Sequence, residues 1–247
     1  MSNAKSDSLI ETIKTIVYAG LIALFVRTVA YEPFNIPSSS MVPTLLVGDY
    51  LFVSKYSYGY SRYSLPFGLS LFSGRILYHE PQRGDVVVFK LPRDTSVDYI
   101  KRLIGLPGDR IQVKDGLLYV NGDQVPRQQT DDYVEHAPNG ATIRTPQYVE
   151  NLPGGKTHPL IKIMGDRGWI NNTAEYVVPP GHFFMMGDNR DNSQDSRFTG
   201  EVGFVPAENL VGRAEFVFFS HDGSASLFEV WKWPFAIRYS RMFQGIE

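Results

Sequence analysis

Lys114-Asp115-Gly116-Leu117-Leu118-Tyr119-Val120-Asn121-Gly122-Asp123-Gln124-Val125, residues 114–125, sets two chain reversals around one short apolar run. Asp-Gly and Asn-Gly tolerate the positive φ that tight hairpin turns require, so the run between them reads as a strand with a neighbour on each side. The pattern continues outward. β-Branched and aromatic runs at 50–54, 85–90, 111–114, 117–120, 160–164, 176–178, 182–186 and 214–219 are separated by Gly-Asp, Pro-Gly-Asp and Pro-Pro-Gly turns. With 16 Phe, 14 Tyr, 22 Gly and 16 Pro, the composition suits a turn-rich protein. The expected fold class is mainly β, with many short strands following one N-terminal helix. Residues 127–175 are more polar and less regular, as in an inserted, loop-rich β subdomain.

The chain has 247 residues, enough for one sizeable core or two small ones, and 24 basic against 26 acidic residues give a net charge of −2. Without a basic run, nucleic acid is not an expected partner. Cysteine is absent, which excludes a disulfide scaffold, zinc ribbons, thiol nucleophiles and iron–sulfur ligation. His79, His136, His158, His182 and His221 are scattered without metal-ligand spacing, so each reads as a surface or structural residue. No GxSxG elbow is present, while a Ser-His-Asp triad stays open because its members need not be near in sequence.

The mean hydropathy of −0.17 hides an uneven distribution. Residues 15–26, TIVYAGLIALFV, carry no charge, with Lys5 and Lys14 before them and Arg27 after. Extended to Tyr31 the stretch has 17 residues, about 26 Å as a helix at about 1.5 Å per residue. Ile10 and Ile13 can lengthen it while Lys14 and Arg27 snorkel to the interfaces, with Tyr31 as an interfacial aromatic and Pro33 as the stop. A retained anchor, a cleaved signal peptide with Thr28 and Ala30 at −3 and −1, and a buried core helix all fit this length. Lys5 and Lys14 favour a cytoplasmic N-terminus, against which Arg27 weighs, and no second stretch is apolar enough to cross a membrane.

Three stretches carry possible chemistry. Residues 35–45, NIPSSSMVPTL, place three hydroxyls between a proline-fixed segment and an apolar one. They make a Ser-rich cap or loop unless a base lies nearby. Residues 98–109, DYIKRLIGLPGD, alternate as a strand with Tyr99, Lys101 and Leu103 on one face and Ile100, Arg102 and Ile104 on the other. Burial of either face forces a cation against apolar neighbours, which for lysine lowers the pKa and makes a competent base for a serine hydroxyl. A solvated edge strand with two ordinary cations is the alternative. Residues 183–197, FFMMGDNRDNSQDSR, end an apolar strand in a long polar loop, either a solvated tip or a hydrogen-bonded scaffold holding Ser193 and the Asp195/Arg197 pair.

In this order, residues 31–59, 83–92 (RGDVVVFKLP), 98–109, 187–197 and 203–214 (GFVPAENLVGRA), about a third of the chain, resemble the boxes of bacterial type I signal peptidases, membrane-bound Ser/Lys endopeptidases. The resemblance implies a signal-peptidase-like all-β catalytic domain over 32–109 and 181–247, an inserted β subdomain over 110–180, a transmembrane anchor over 10–31 and a short cytoplasmic segment over 1–9. It implies Ser40 as nucleophile, Lys101 as general base, and an oxyanion hole from the Ser38 hydroxyl and the Ser40 backbone N–H. Ser193 would orient the lysine and Asp195 with Arg197 would support it, while Phe34, Ile36, Met41, Leu45, Tyr99 and Ile100 would line pockets for small −3 and −1 side chains (A-x-A). No metal or cofactor is implied. The partners would be secretory preproteins, membrane lipid and the protein-export machinery, with the catalytic domain on the periplasmic side of the cytoplasmic membrane.

Three features depart from some family members: no disulfide can form in the insertion, one span is visible instead of two, and residues 197–204, RFTGEVGF, are longer than a compact form. Trp231, Trp233 and Phe235 suit either an interfacial contact or core packing. A peptidase dedicated to one exported protein is the enzymatic alternative. An inactive periplasmic scaffold should lack Ser40 or Lys101, and a self-cleaving repressor would need a DNA-binding domain that residues 1–32 leave no room for.

Overall fold

A computed structural model describes residues 3–65, 72–136, 141–226 and 228–247. Parts of the expected N-terminal segment (1–2) and of the inserted subdomain (137–140) lie outside these. Helix α1, Asn3–Val29, contains a 20-residue apolar stretch, Ile10–Val29, none of which is buried by the rest of the chain. Ile13, Ile16, Leu21, Ile22 and Phe25 are exposed all around it, so the helix has no protein core to face; the apolar stretch, about 30 Å long, suits a hydrocarbon layer. The helix ends at Val29, well before Pro33. Tyr31, expected at the helix end, instead opens the first strand, because Ala30 O already accepts the Lys55 N–H at 2.9 Å and sheet pairing begins there.

The strands in chain order are β1 (Tyr31–Asn35), β2 (Asp49–Ser54), the short pair β3 (Tyr60–Ser61) and β4 (Arg75–Ile76), β5 (Val86–Leu91) and β6 (Asp94–Gly105). Next come β7 (Arg110–Lys114), β8 (Leu117–Val120), β9 (Asp123–Gln124), β10 (Arg127–Gln129), β11 (Tyr133–His136), β12 (Thr142–Thr145), β13 (Gln147–Asn151), β14 (Thr157–Ile161) and β15 (Tyr176–Val177). The chain then returns through β16 (His182–Met186), β17 (Val205–Pro206) and β18 (Leu210–Ser220). The main sheet is antiparallel and seven-stranded, in the order β1-β2-β18-β5-β6-β16-β17. Strands from residues 110–177 make sheets of their own: β15-β7-β8-β9, β10-β13-β14 and the hairpin β11-β12.

The turns around β8 form as their dipeptides require, with Asp115, Gly116, Asn121 and Gly122 all at positive φ. The strand expected at 160–164 lies earlier, at Thr157–Ile161, in register with β13. Ile161, still in register with Gln147, bonds the 188–190 loop on its other side, and beyond it Ile163 and Met164 are exposed. The strand at 214–219 is longer than expected because β18 serves two partners, β2 and β5. One apolar cluster fills the inside of the main sheet around Met41, Leu45, Leu51, Val53, Val88 and Val217. A second, around Ile104, Ile111, Leu118, Val120 and Phe184, joins it to the β7–β9 sheet.

Candidate active site

β6 is central to the sheet at its C-terminal end and is buried on both faces there, with Lys101 4% and Arg102 1% exposed. The apolar alternation around them decides which way each cation points. Lys101 Nζ reaches the Ser40 Oγ at 2.8 Å and donates to the Ile100 carbonyl at 2.9 Å. Burial lowers its pKa from 10.5 to about 8, partly opposed by the charges of Asp195 and Asp188. An amine so placed is neutral in a useful fraction near neutral pH and can take a hydroxyl proton. Ser40 itself sits in a single 3₁₀ turn, Ser39–Met41, that follows the extended residue Ser38, whose Oγ lies 3.3 Å from that of Ser40.

The loop after β16 fixes this turn from the other side. The Asn189 backbone N–H donates to Ser40 O at 3.0 Å, its side-chain amide donates to Ser39 O at 3.1 Å, and the Asn192 amide donates to Ser39 Oγ at 3.0 Å. Asp195 is fully buried, accepts the Gly187 N–H at 3.0 Å and pairs with Arg197 at 2.8 Å. Burial pushes the Asp195 carboxyl up, but Arg197 more than offsets this and holds it low. The loop is thus a scaffold and not a solvated tip. Ser193 is buried beside Gly187, yet its Oγ makes no hydrogen bond of good geometry, and the expected bond to Lys101 is not formed in this conformation.

A groove of about 530 Å³ runs over the Ser40–Lys101 pair. Of the residues expected to line substrate pockets, Phe34, Ile36, Tyr99 and Ile100 line this groove, together with Val88, Val97 and Gln194. Met41 and Leu45 do not. Both are wholly buried in the cluster beneath the sheet, because the 3₁₀ turn that exposes Ser38 and Ser39 to the groove turns Met41 inward. The groove lies between two unpaired strand edges: β1 is terminal in the sheet, and residues 94–101 of β6 pair with β5 only.

Sequence reasoning missed a buried charge network behind the site. Arg102 pairs with Asp188, which also accepts a 2.6 Å bond from Thr44 Oγ1. His158 lies 3.3 Å from both Asp188 and Glu150, and Glu150 holds Arg190. Burial opposes ionisation of Glu150, yet Arg190 and His158 bring its pKa down to about 2. The available signal was Arg102 itself, since a guanidinium in an apolar strand demands a buried partner. Among the described residues no cluster of His, Asp and Glu could hold a metal ion.

The profile of the family described as "Signal peptidase, peptidase S26" matches residues 9–219. The chain belongs to the signal peptidase family, peptidase S26. Signal peptidase I of Rickettsia typhi is 43% identical over 241 residues, covering 91% of this chain and 89% of its own. That of Rickettsia conorii is 47% identical over 206 residues, covering 81% and 75%. A solved signal peptidase I from Enterococcus faecalis V583 is 30% identical and covers 55% of this chain and 97% of its own, with a TM-score of 0.32. The chain is therefore a mainly β peptidase of the signal peptidase I type, preceded by a candidate membrane helix.

Proposed function

We propose that this protein is a membrane-anchored serine endopeptidase that removes signal peptides from secretory preproteins, with Ser40 as nucleophile and Lys101 as general base. The observation that carries this reading is the 2.8 Å contact between Lys101 Nζ and Ser40 Oγ, made by a lysine that is buried and titrates at about 8. Neutral Lys101 takes the hydroxyl proton as Ser40 Oγ attacks the scissile carbonyl, then returns it to the leaving amine. The Ser38 hydroxyl and the Ser40 N–H face the developing oxyanion; such a donor contributes about 2.7–4 kcal/mol to the transition state. Water then hydrolyses the acyl-enzyme with the lysine again as base. Ser193, Asp195 and Arg197 support the loop that packs against the nucleophile turn.

The substrate enters as an extended segment between the edges of β1 and β6, a mode that reads main chain first and side chains through alternate pockets. Phe34, Ile36, Tyr99 and Ile100 leave shallow apolar space, which rejects bulk by clash and so favours A-x-A. α1 crosses the cytoplasmic membrane once with its N-terminus inside, and the β domain works at the outer surface, where the substrate's own apolar segment presents its cleavage site beside the lipid and the export machinery.

The test is processing of an A-x-A preprotein by the detergent-solubilised full chain beside Ser40→Ala and Lys101→Met. Both variants should fold and lose processing; full activity in either would overturn the Ser/Lys assignment.

A further inference from the structure

A second cavity, of about 560 Å³, lies where the end of α1 meets the β domain, and the proposed reaction does not use it. One wall is Leu24, Arg27 and Thr28 of the helix; the other includes Lys55, Arg62 and Lys90. Four cations line it against two carboxylates, Glu32 and Asp98. Glu32 is shared, 2.7 Å from Arg27 and 2.9 Å from Lys55, so that cluster keeps a positive charge in surplus. Asp98 is taken by Lys90 at 2.9 Å. Arg62 donates to Tyr63 Oη at 2.6 Å and reaches Glu208 only at 3.9 Å, while its Nε is buried with no hydrogen-bond partner. The Arg62 side chain is 42% exposed where it lines a cavity with surplus positive charge, and a guanidinium so placed suits an anion.

The helix supplies the depth. Leu24, Arg27 and Thr28 belong to the last turns of the apolar stretch Ile10–Val29, which is the level of lipid headgroups if that stretch spans the bilayer. Phosphodiesters are the abundant anions at that level, and Leu24, Leu65 and Val211 give the same cavity an apolar side for glycerol and upper acyl carbons. We propose that this cavity binds the phosphate of an anionic membrane lipid, with Arg62 and the Arg27–Glu32–Lys55 cluster as the recognising groups. The upstream part of a signal peptide is a poorer occupant, because its apolar segment brings no negative charge to Arg62 and the Arg27–Glu32–Lys55 cluster. Phe34 and Asp98 line both this cavity and the groove, so the lipid stands directly beside the substrate.

This proposal rests on α1 being a membrane span. The experiment reconstitutes the full chain in phosphatidylcholine bilayers with and without phosphatidylglycerol, follows flotation, and counts lipid retained on the released protein by native mass spectrometry. The expected result is one phosphatidylglycerol retained in preference to phosphatidylcholine. Arg62→Gln and Arg27→Gln should each reduce that retention about fivefold, the effect of one interfacial cation. Lys232→Gln, at an exposed cation that does not line the cavity, should not change it. Equal retention of the two lipids, or retention unchanged in both arginine variants, overturns the site. So does displacement of the bound lipid by soluble glycerol phosphate or by a synthetic signal peptide. Failure to float overturns the span and the site together, whereas flotation without lipid preference overturns the site alone.

Discussion

Arg102 grips both carboxylate oxygens of Asp188, through Nε and a terminal nitrogen at 2.8 Å each, with both side chains 1% exposed. The pair lies one residue from Lys101 and ties the strand that carries the lysine to the loop that packs on Ser40. Deleting one member leaves a buried charge, so Arg102→Met or Asp188→Asn should destabilise the protein by about 3–5 kcal/mol. The double variant should lose clearly less than the sum. Urea unfolding of the cycle checks this, and strictly additive losses would mean that the contact contributes no coupling.

Gly187 leaves no room for a side chain, since a Cβ there would strike Ser193 and come within 2.5 Å of the Ser40 carbonyl oxygen. Gly187→Ala should therefore push the Ser39–Met41 turn, which carries the proposed nucleophile, out of line. Displacements near 1 Å lower rates about a hundredfold. A near-normal kcat in this variant, with folding confirmed by circular dichroism, would show that the turn yields freely.

In the proposed mechanism Lys101 accepts the Ser40 proton in its neutral form, and burial lowers its pKa to about 8. The kcat/KM of preprotein cleavage should rise with pH and level off above about 8. A profile flat from acid to alkaline pH would rule out titration of the base.

The same burial makes Lys101 a burden on the fold. Folded, it titrates at about 8 against 10.5 when free, so the unfolded chain holds more protons between those values and stability rises with pH across that window. Lys101→Met should therefore stabilise the protein at pH 7 by on the order of 1–3 kcal/mol, a gain that shrinks on going to pH 10. Thermal unfolding of the two proteins at both pH values is the measurement.

Glu150 shifts the other way, from 4.5 to about 2. Its contribution is complete above pH 4.5 and is lost as pH falls toward 2, because the unfolded carboxylate protonates first. Glu150→Gln should give a less stable protein whose acid limb is flatter, as read by fluorescence-monitored unfolding from pH 5 to 2.

What the sequence revealed follows the range of the forces involved. The hairpin at residues 114–125 and the apolar alternation of β6 are local, and Asp115, Asn121, Lys101 and Arg102 could be read directly. The partners could not, because Ser40 meets Lys101, and Arg102 meets Asp188, only through sheet order, which pairs strands distant in the chain. The burial of Met41 and Leu45 was hidden for a similar reason: an apolar residue close to Ser40 in sequence suits a groove wall or a core equally, and the fold puts both in the core. The run at 160–164 had strand composition, but β13 fixed the register earlier, and the strand ends at Ile161, whose other side bonds the 188–190 loop.

The terminal place of β1 has a further consequence. Ile36 donates its N–H to Asp49 O at 2.8 Å, so the even-numbered residues of this segment bond inward and the amide groups of residues 33, 35 and 37 point to the open side. Two of those three are prolines. Over residues 33–37 the open edge therefore offers carbonyl oxygens but a single N–H, from Asn35. A second copy of this strand cannot zip onto it, which guards an exposed edge against self-pairing. A guest chain can, provided that it brings its own amide hydrogens, so proline within the bound segment should be excluded by the backbone alone.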